Sequence, residues 1–256
     1  MRRMVAVVAV TVIAVVALPG CGPADLQLTV DGRPVLVHRH TDNSARPLVL
    51  VLHGYSNTAA FIQSYTGVDA TADALGFNVA YPQGTPTAAG GYSWNAGACC
   101  GGSTADDVTF LEHVVDRVVA DTPTDRRRVY VWGFSNGGIM AVRAICQAQD
   151  AAGKPLFAAA GTVAGPAMLS TCSRPVWRHL HGEADVVVPV RGGTSVIPSA
   201  CGCTFPDSTT EPSRFGAFVR LDLYPNGAHT WPKPTDGTFG VDANRLLWDF
   251  SRPFAT

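Results

Sequence analysis

The chain has 256 residues, a formal net charge of −1, 46% hydrophobic and 15% charged residues. That balance suits a single domain with a substantial core. It excludes a protein that holds nucleic acid by charge, because no basic excess exists to neutralise phosphates.

Arg2-Arg3 open the chain, and Met4 to Leu18 is an unbroken apolar stretch. It is shorter than the ~20 residues a membrane-crossing helix takes and reads as the apolar region of a signal peptide. Leu18-Pro19-Gly20-Cys21 is similar to a bacterial lipobox, which makes Cys21 the expected lipidation site. A plain cleaved signal peptide is the alternative. The expected division is a leader at 1–21 and one domain at 22–256, exported and either anchored by lipid to the outer membrane face or secreted.

Leu26–Val30 and Pro34–His38 flank Asp31-Gly32, a hairpin turn signal. Pro47 to His53 is a continuous apolar run of the kind found in a sheet covered on both faces. Val68 to Leu75 predicts a short helix ended by Gly76, and Phe77 to Tyr81 the next strand. A Gly-, Pro- and Ser-rich loop follows to Ser103. Beyond Thr104, Val108, Leu111, Val115, Val118 and Val119 recur at helical steps, with Asp106-Asp107 where the helix dipole favours acids. Val129 to Trp132 predicts a strand and Gly138 to Cys146 a helix. Further strands are expected at Phe157–Val163, Pro175–His181 and Phe218–Tyr224, and a last helix at Val241–Phe250. Strands alternating with helices imply an α/β fold, a mostly parallel doubly wound sheet with helices on both faces.

Between the strand at 129–132 and the helix at 138–146 stands Gly133-Phe134-Ser135-Asn136-Gly137. A serine on so tight a turn is strained, and its hydroxyl is pushed beyond the sheet edge, where ligands of such sheets bind. A serine needs a base to take its proton and a carboxylate to hold that base. In this fold the order is Ser, acid, His. His229, between the last strand and last helix, is the expected base. Asp185, just past the end of a strand, is preferred as the acid over Glu183 and Asp222. His179 and His181, two residues apart within a strand, are expected to pack or hydrogen-bond locally. Backbone N–H groups of Asn136 and Tyr55 are the candidate oxyanion donors, and Trp94 and Trp231 the candidate substrate-lining side chains.

Apart from Cys21, six cysteines remain: Cys99, Cys100, Cys146, Cys172, Cys201 and Cys203. An even number in an oxidising compartment predicts disulfides. Cys146–Cys172 is the expected pair, and the pairing of the other four stays open. The spacing matches no common zinc site, and no metal or cofactor is expected.

The stretches WNAGACCGG (94–102), ADDVTFL (105–111), GFSNGG (133–138), HGEADVVVP (181–189) and GAHTWP (227–232) resemble the exported poly(3-hydroxybutyrate) depolymerase and feruloyl/acetylxylan esterase group of α/β-hydrolases. The resemblance runs from about Pro47 to the C-terminus. It implies an eight- or nine-stranded core with no large lid and a serine esterase with Ser135 as nucleophile, Asp185 as acid and His229 as base. The substrate is then an ester, as a small molecule, an oligomer or a polysaccharide substituent, and the protein a monomer. The chain departs from the group at Arg191–Ser213, where a longer segment with a recognisable helix is usual. Acyl transfer to a cell-wall sugar and a non-catalytic surface-binding lipoprotein are the competing readings. The fold alone separates none of these.

Overall fold

The computed structural model describes residues 24–40, 42–88, 90–97, 103–195, 203–235 and 239–256. The leader, with Cys21, and Cys99, Cys100 and Cys201 lie outside the described residues.

Eight strands form the central sheet: β1 (Ala24–Val30), β2 (Arg33–Arg39), β3 (Arg46–Leu52), β4 (Asn78–Pro82), β5 (Thr124–Phe134), β6 (Ala159–Val163), β7 (Trp177–Gly182) and β8 (Val219–Tyr224). Their order across the sheet is β1-β2-β4-β3-β5-β6-β7-β8. The hairpin β1–β2 and the β2–β4 pair are antiparallel, and every pair from β4 to β8 is parallel. The helices are α1 (Ala59–Thr66), α2 (Val68–Leu75), α3 (Asp107–Asp121), α4 (Asn136–Gln147), α5 (Glu211–Phe215) and α6 (Ala243–Ser251).

The apolar run in β3 is continuous because both of its faces are buried. Leu48, Leu50 and Leu52 point into one core with Val129 and Val131 of β5, under α3 and α4. Val49 and Val51 point into the other, with Tyr130 and Trp132, under α1, α2 and α6. Among the predicted elements, α2 runs from Val68 to Leu75 and stops on Gly76, which adopts φ 79°. Asp106 caps α3 by accepting from the Thr109 N–H.

Helix α1 lies in a stretch with no predicted element. It is eight residues long, capped by Thr58, and buries only Ala59, Ile62 and Thr66, too few to write a periodic signal. The short crossover 191–213 also holds structure: Arg191–Thr194 pairs with Thr204–Asp207, and α5 starts at Glu211. Cys146 and Cys172 form a disulfide, and Cys203 is disulfide-bonded as well.

Candidate active site

The turn between β5 and α4 is shaped by steric exclusion. Ser135 adopts φ 55° and ψ −121°, a region L-residues occupy only under constraint. Its N–H is held by the Val163 carbonyl at 2.8 Å, and its own carbonyl accepts from Ile139 N–H at 3.0 Å. A Cβ at Gly133 would overlap the Gly137 carbonyl, and one at Gly137 would overlap the Leu52 carbonyl. Small residues are required there because three backbones meet. Ser135 is 8% exposed, and its hydroxyl hydrogen-bonds to nothing among the described residues.

Asp185 and His229 come from the neighbouring strand ends. Asp185 follows β7 and His229 follows β8, and these parallel strands run side by side. Their trailing loops touch backbone to backbone: a Cβ at Gly182 would overlap the Gly227 carbonyl, and the Ala184 N–H donates to that carbonyl at 3.0 Å. The result is a 2.6 Å hydrogen bond from His229 Nδ1 to Asp185 Oδ2. Asp185 Oδ1 accepts the Val187 and Val188 N–H groups, both at 2.8 Å. Burial acts to raise the pKa of this carboxyl, but hydrogen bonds from His181 and His229 outweigh it and hold the group well below the usual carboxylate range. Asp185 is therefore an ionised acceptor that fixes His229 with Nε2 turned outward. The imidazole of His229 packs on Phe134, the residue before the serine, with ring centroids 4.9 Å apart. Ser135 Oγ and His229 make no hydrogen bond to each other here; such contacts commonly tighten only with substrate bound.

The two expected oxyanion donors flank the serine. Asn136 opens α4, so its N–H has no partner inside the helix. Its side chain clasps the Trp94 backbone, accepting from Trp94 N–H at 2.8 Å and donating to Trp94 O at 3.3 Å. Tyr55 follows Gly54, where a Cβ would stand 3.4 Å from the Ser135 Cβ. The direction of the Tyr55 N–H is governed by His53. His53 Nε2 accepts the Gly84 N–H at 2.9 Å, so the ring proton sits on Nδ1 and is donated to the Gly54 carbonyl at 2.8 Å. A trans peptide points its N–H opposite to its C=O, so holding Gly54 O inward turns Tyr55 N–H the other way. Burial pushes the His53 imidazole down to about 4, which keeps it neutral and this tautomer fixed. Sequence reasoning gave His53 no role; the only signal was its place at the end of β3.

Trp94 and Trp231 do not line a cleft, contrary to expectation. They are 0% and 1% exposed. Trp94 donates its indole N–H to His53 O at 2.9 Å, and Trp231 donates to Asn244 Oδ1 at 2.8 Å. Each indole is held inside by its own donor. The competing acids are occupied elsewhere: Asp222 binds Arg178 and Arg220, and Glu183 binds Arg191.

A serine on a strained strand-to-helix turn, in a sheet of this strand order, defines an α/β-hydrolase. An esterase from Pyrococcus furiosus shares the fold, with a TM-score of 0.62 at 15% identity over 92% of this chain and 94% of that one. The family model described as esterase PHB depolymerase matches residues 39–188, and the chain belongs to that family. Among curated relatives, NocK of Nocardia uniformis subsp. tsuyamanensis, named as an esterase, is 32% identical over 180 residues. Feruloyl esterase B of Piromyces equi is 29% identical over 168 residues. The matches cover 65% and 64% of this chain but only 49% and 31% of those relatives. Fold and family are those of carboxylic ester hydrolases.

Proposed function

We propose that the protein cleaves carboxylic esters through an acyl-enzyme on Ser135. The observation that carries this reading is the 2.6 Å hydrogen bond that His229 Nδ1 donates to Asp185 Oδ2, on the same side of the sheet as the strained Ser135 turn. His229 Nε2 takes the Ser135 proton as Oγ attacks the ester carbonyl, and Asp185 stabilises the imidazolium that forms. The Asn136 and Tyr55 N–H groups receive the developing oxyanion. The imidazolium then returns the proton to the leaving alcohol, and an activated water releases the acid. Hydroxyalkanoate, feruloyl and acetyl esters are the candidate substrates, in keeping with the family and with the feruloyl esterase among the relatives. Export supports the same reading, since disulfides at Cys146–Cys172 and Cys203 suit an oxidising compartment. Residues 22–256 are then the working domain, and Cys21 its lipid attachment.

The test compares kcat/KM on methyl ferulate, acetylated xylo-oligosaccharide and a 3-hydroxybutyrate oligomer, with Ser135→Ala as the blank. Ser135→Ala is expected to lower kcat at least about 10³-fold with the fold intact. A folded variant that hydrolyses esters at the parental rate removes Ser135 from the mechanism. A preference of about 100-fold for one ester identifies the substrate class.

A further inference from the structure

Behind Asp185 lies a second set of titratable groups that the mechanism above does not use. Trp177, His179 and His181 alternate along β7 and so point to one face. Glu211, the first residue of α5, meets this row at one end, and Asp185 meets it at the other. Glu211 Oε2 lies 3.1 Å from His179 Nδ1, His179 Nε2 lies 2.9 Å from His181 Nδ1, and His181 Nε2 lies 2.8 Å from Val188 O and 3.3 Å from Asp185 Oδ2. All four titratable side chains are buried.

The protons of this chain can be counted. Glu211 Oε1 accepts the Ala167 N–H at 2.8 Å and Oε2 the Trp177 indole N–H at 3.1 Å, so Glu211 is set as an acceptor. Burial acts to raise its pKa, but the adjacent His179 outweighs burial and the group stays ionised. His179 Nδ1 must therefore carry a proton. Val188 O can only accept, so His181 Nε2 must carry one too. Between the rings one N–H···N contact needs a third. Two neutral imidazoles carry one ring proton each, two in all; the pair holds three and so one positive charge. That charge belongs to the pair, with the Glu211 carboxylate at one end of the row and the Asp185 carboxylate at the other.

We propose that Glu211, His179 and His181 form a buried brace that fixes the Asp185 carboxylate and sets one shared positive charge behind it. The brace acts on the reaction only through Asp185, so its members are positioning residues. Its kinetic consequence rests on the Ser135–Asp185–His229 reading; its proton count does not. Asp185 stands between two imidazoles, His229 in front and His181 behind. A neighbouring cation offsets part of the negative field of Asp185 at His229, which restrains the basicity of the catalytic imidazole. The charged and titratable groups facing the pair are Glu211 from α5 and Asp185, with its partner His229, from the loops after β7 and β8. Among the described residues no arginine or lysine pairs with any of them.

Two measurements test the proposal. In the unmodified protein, ¹⁵N-histidine NMR at about pH 8, well above the usual histidine range, is expected to find three protonated nitrogens on the His179–His181 pair. Two protonated nitrogens would overturn the shared charge, whatever Ser135 does. In His181→Phe, which keeps a ring but no donor, kcat is expected to fall about tenfold with KM within about threefold. The acid limb of its kcat/KM profile should move to higher pH, because Asp185 loses the cation behind it. His181→Gln, which restores a donor near the Nε2 position, should recover most of the loss. A folded His181→Phe enzyme with parental kcat and an unmoved acid limb overturns the brace. Should that variant fail to fold, the NMR count on the parental protein decides. Loss of all activity in Ser135→Ala alongside a two-proton count separates failure of the brace from failure of the catalytic reading.

Discussion

The two sides of the candidate site are held by different physics. On the elbow side, Ser135 sits at φ 55° because β3, β5 and α4 come so close that only glycine fits at positions 133 and 137. No charge takes part, and the constraint is repulsive and short-ranged. On the acid–base side Gly182 and Gly227 let two loops meet, but neither Asp185 nor His229 takes a constrained backbone, and their side chains are positioned by attraction. Asp185 accepts two backbone N–H groups and one imidazole, and a second imidazole stands behind it. Repulsion fixes an atom without responding to solvent conditions. Hydrogen bonds between ionised groups fix atoms only while the protonation states hold.

Substitutions that touch one side alone should therefore fail in different ways. The largest effect is expected from Asp185→Asn, which removes charge without changing volume. kcat measured below the variant's melting temperature should fall about 10³- to 10⁴-fold, because His229 loses its orienting acceptor. A near-parental kcat would mean that the attraction does not position the base. Gly133→Ala is the converse experiment. It alters no titratable group, yet its methyl must displace the Gly137 carbonyl, and a loss of about 4 kcal/mol or more in folding stability is expected by denaturant titration. If the variant keeps its midpoint, β5 and α4 can part at this turn at little cost.

Reduction of Cys146–Cys172 should have a smaller effect. The bond closes 26 residues between the end of α4 and the segment after β6, and its loss should cost about 3.5 kcal/mol by the loop-entropy relation. kcat measured below the lowered melting point should hold, since the elbow is shaped by the sheet and not by the bond. The smallest effect concerns pH. Asp185 and Glu211 have depressed pKa values, so their stabilisation is present above the usual carboxylate range and is lost as pH falls through the folded values. His38, on β2 next to the edge strand, has the opposite sign. Burial acts to lower its pKa, but hydrogen bonds to Asp73 and Asp25 outweigh it and raise it. Its contribution is complete below about pH 6.5 and fades as pH rises through the raised value. The gap in melting temperature between the parent and His38→Gln should thus be wider at pH 6 than at pH 9.

The elements that were legible in the sequence are those whose signal is local. The continuous apolar run of β3 and the Gly76 stop after α2 each arise within one short segment, as does Ser135 between strand and helix. The His229 position could be read because a polar loop residue between the last strand and last helix has few other uses. What was not legible depends on which segments meet. Trp94 and Trp231 read as lining residues because an aromatic in a loop does not disclose which way it faces. His53 carried no local mark of its hold on Gly54. Glu211 lies 32 residues from His179, in a stretch that reads as a featureless Gly/Pro/Ser/Thr-rich crossover.

By itself the sequence determined the strands of the central sheet, the helices α2, α3, α4 and α6, the strained serine turn and the two loops bearing Asp185 and His229. Hydrophobic periodicity and glycine placement act over a few residues, and the chain carries them in plain order. Only the tertiary structure decided that Gly182 and Gly227 touch, that two tryptophans turn inward, and that Glu211, His179 and His181 line up behind Asp185. Those outcomes depend on distances of about 3 Å between segments far apart in the chain, and directional hydrogen bonds at that range are settled only when the sheet has assembled.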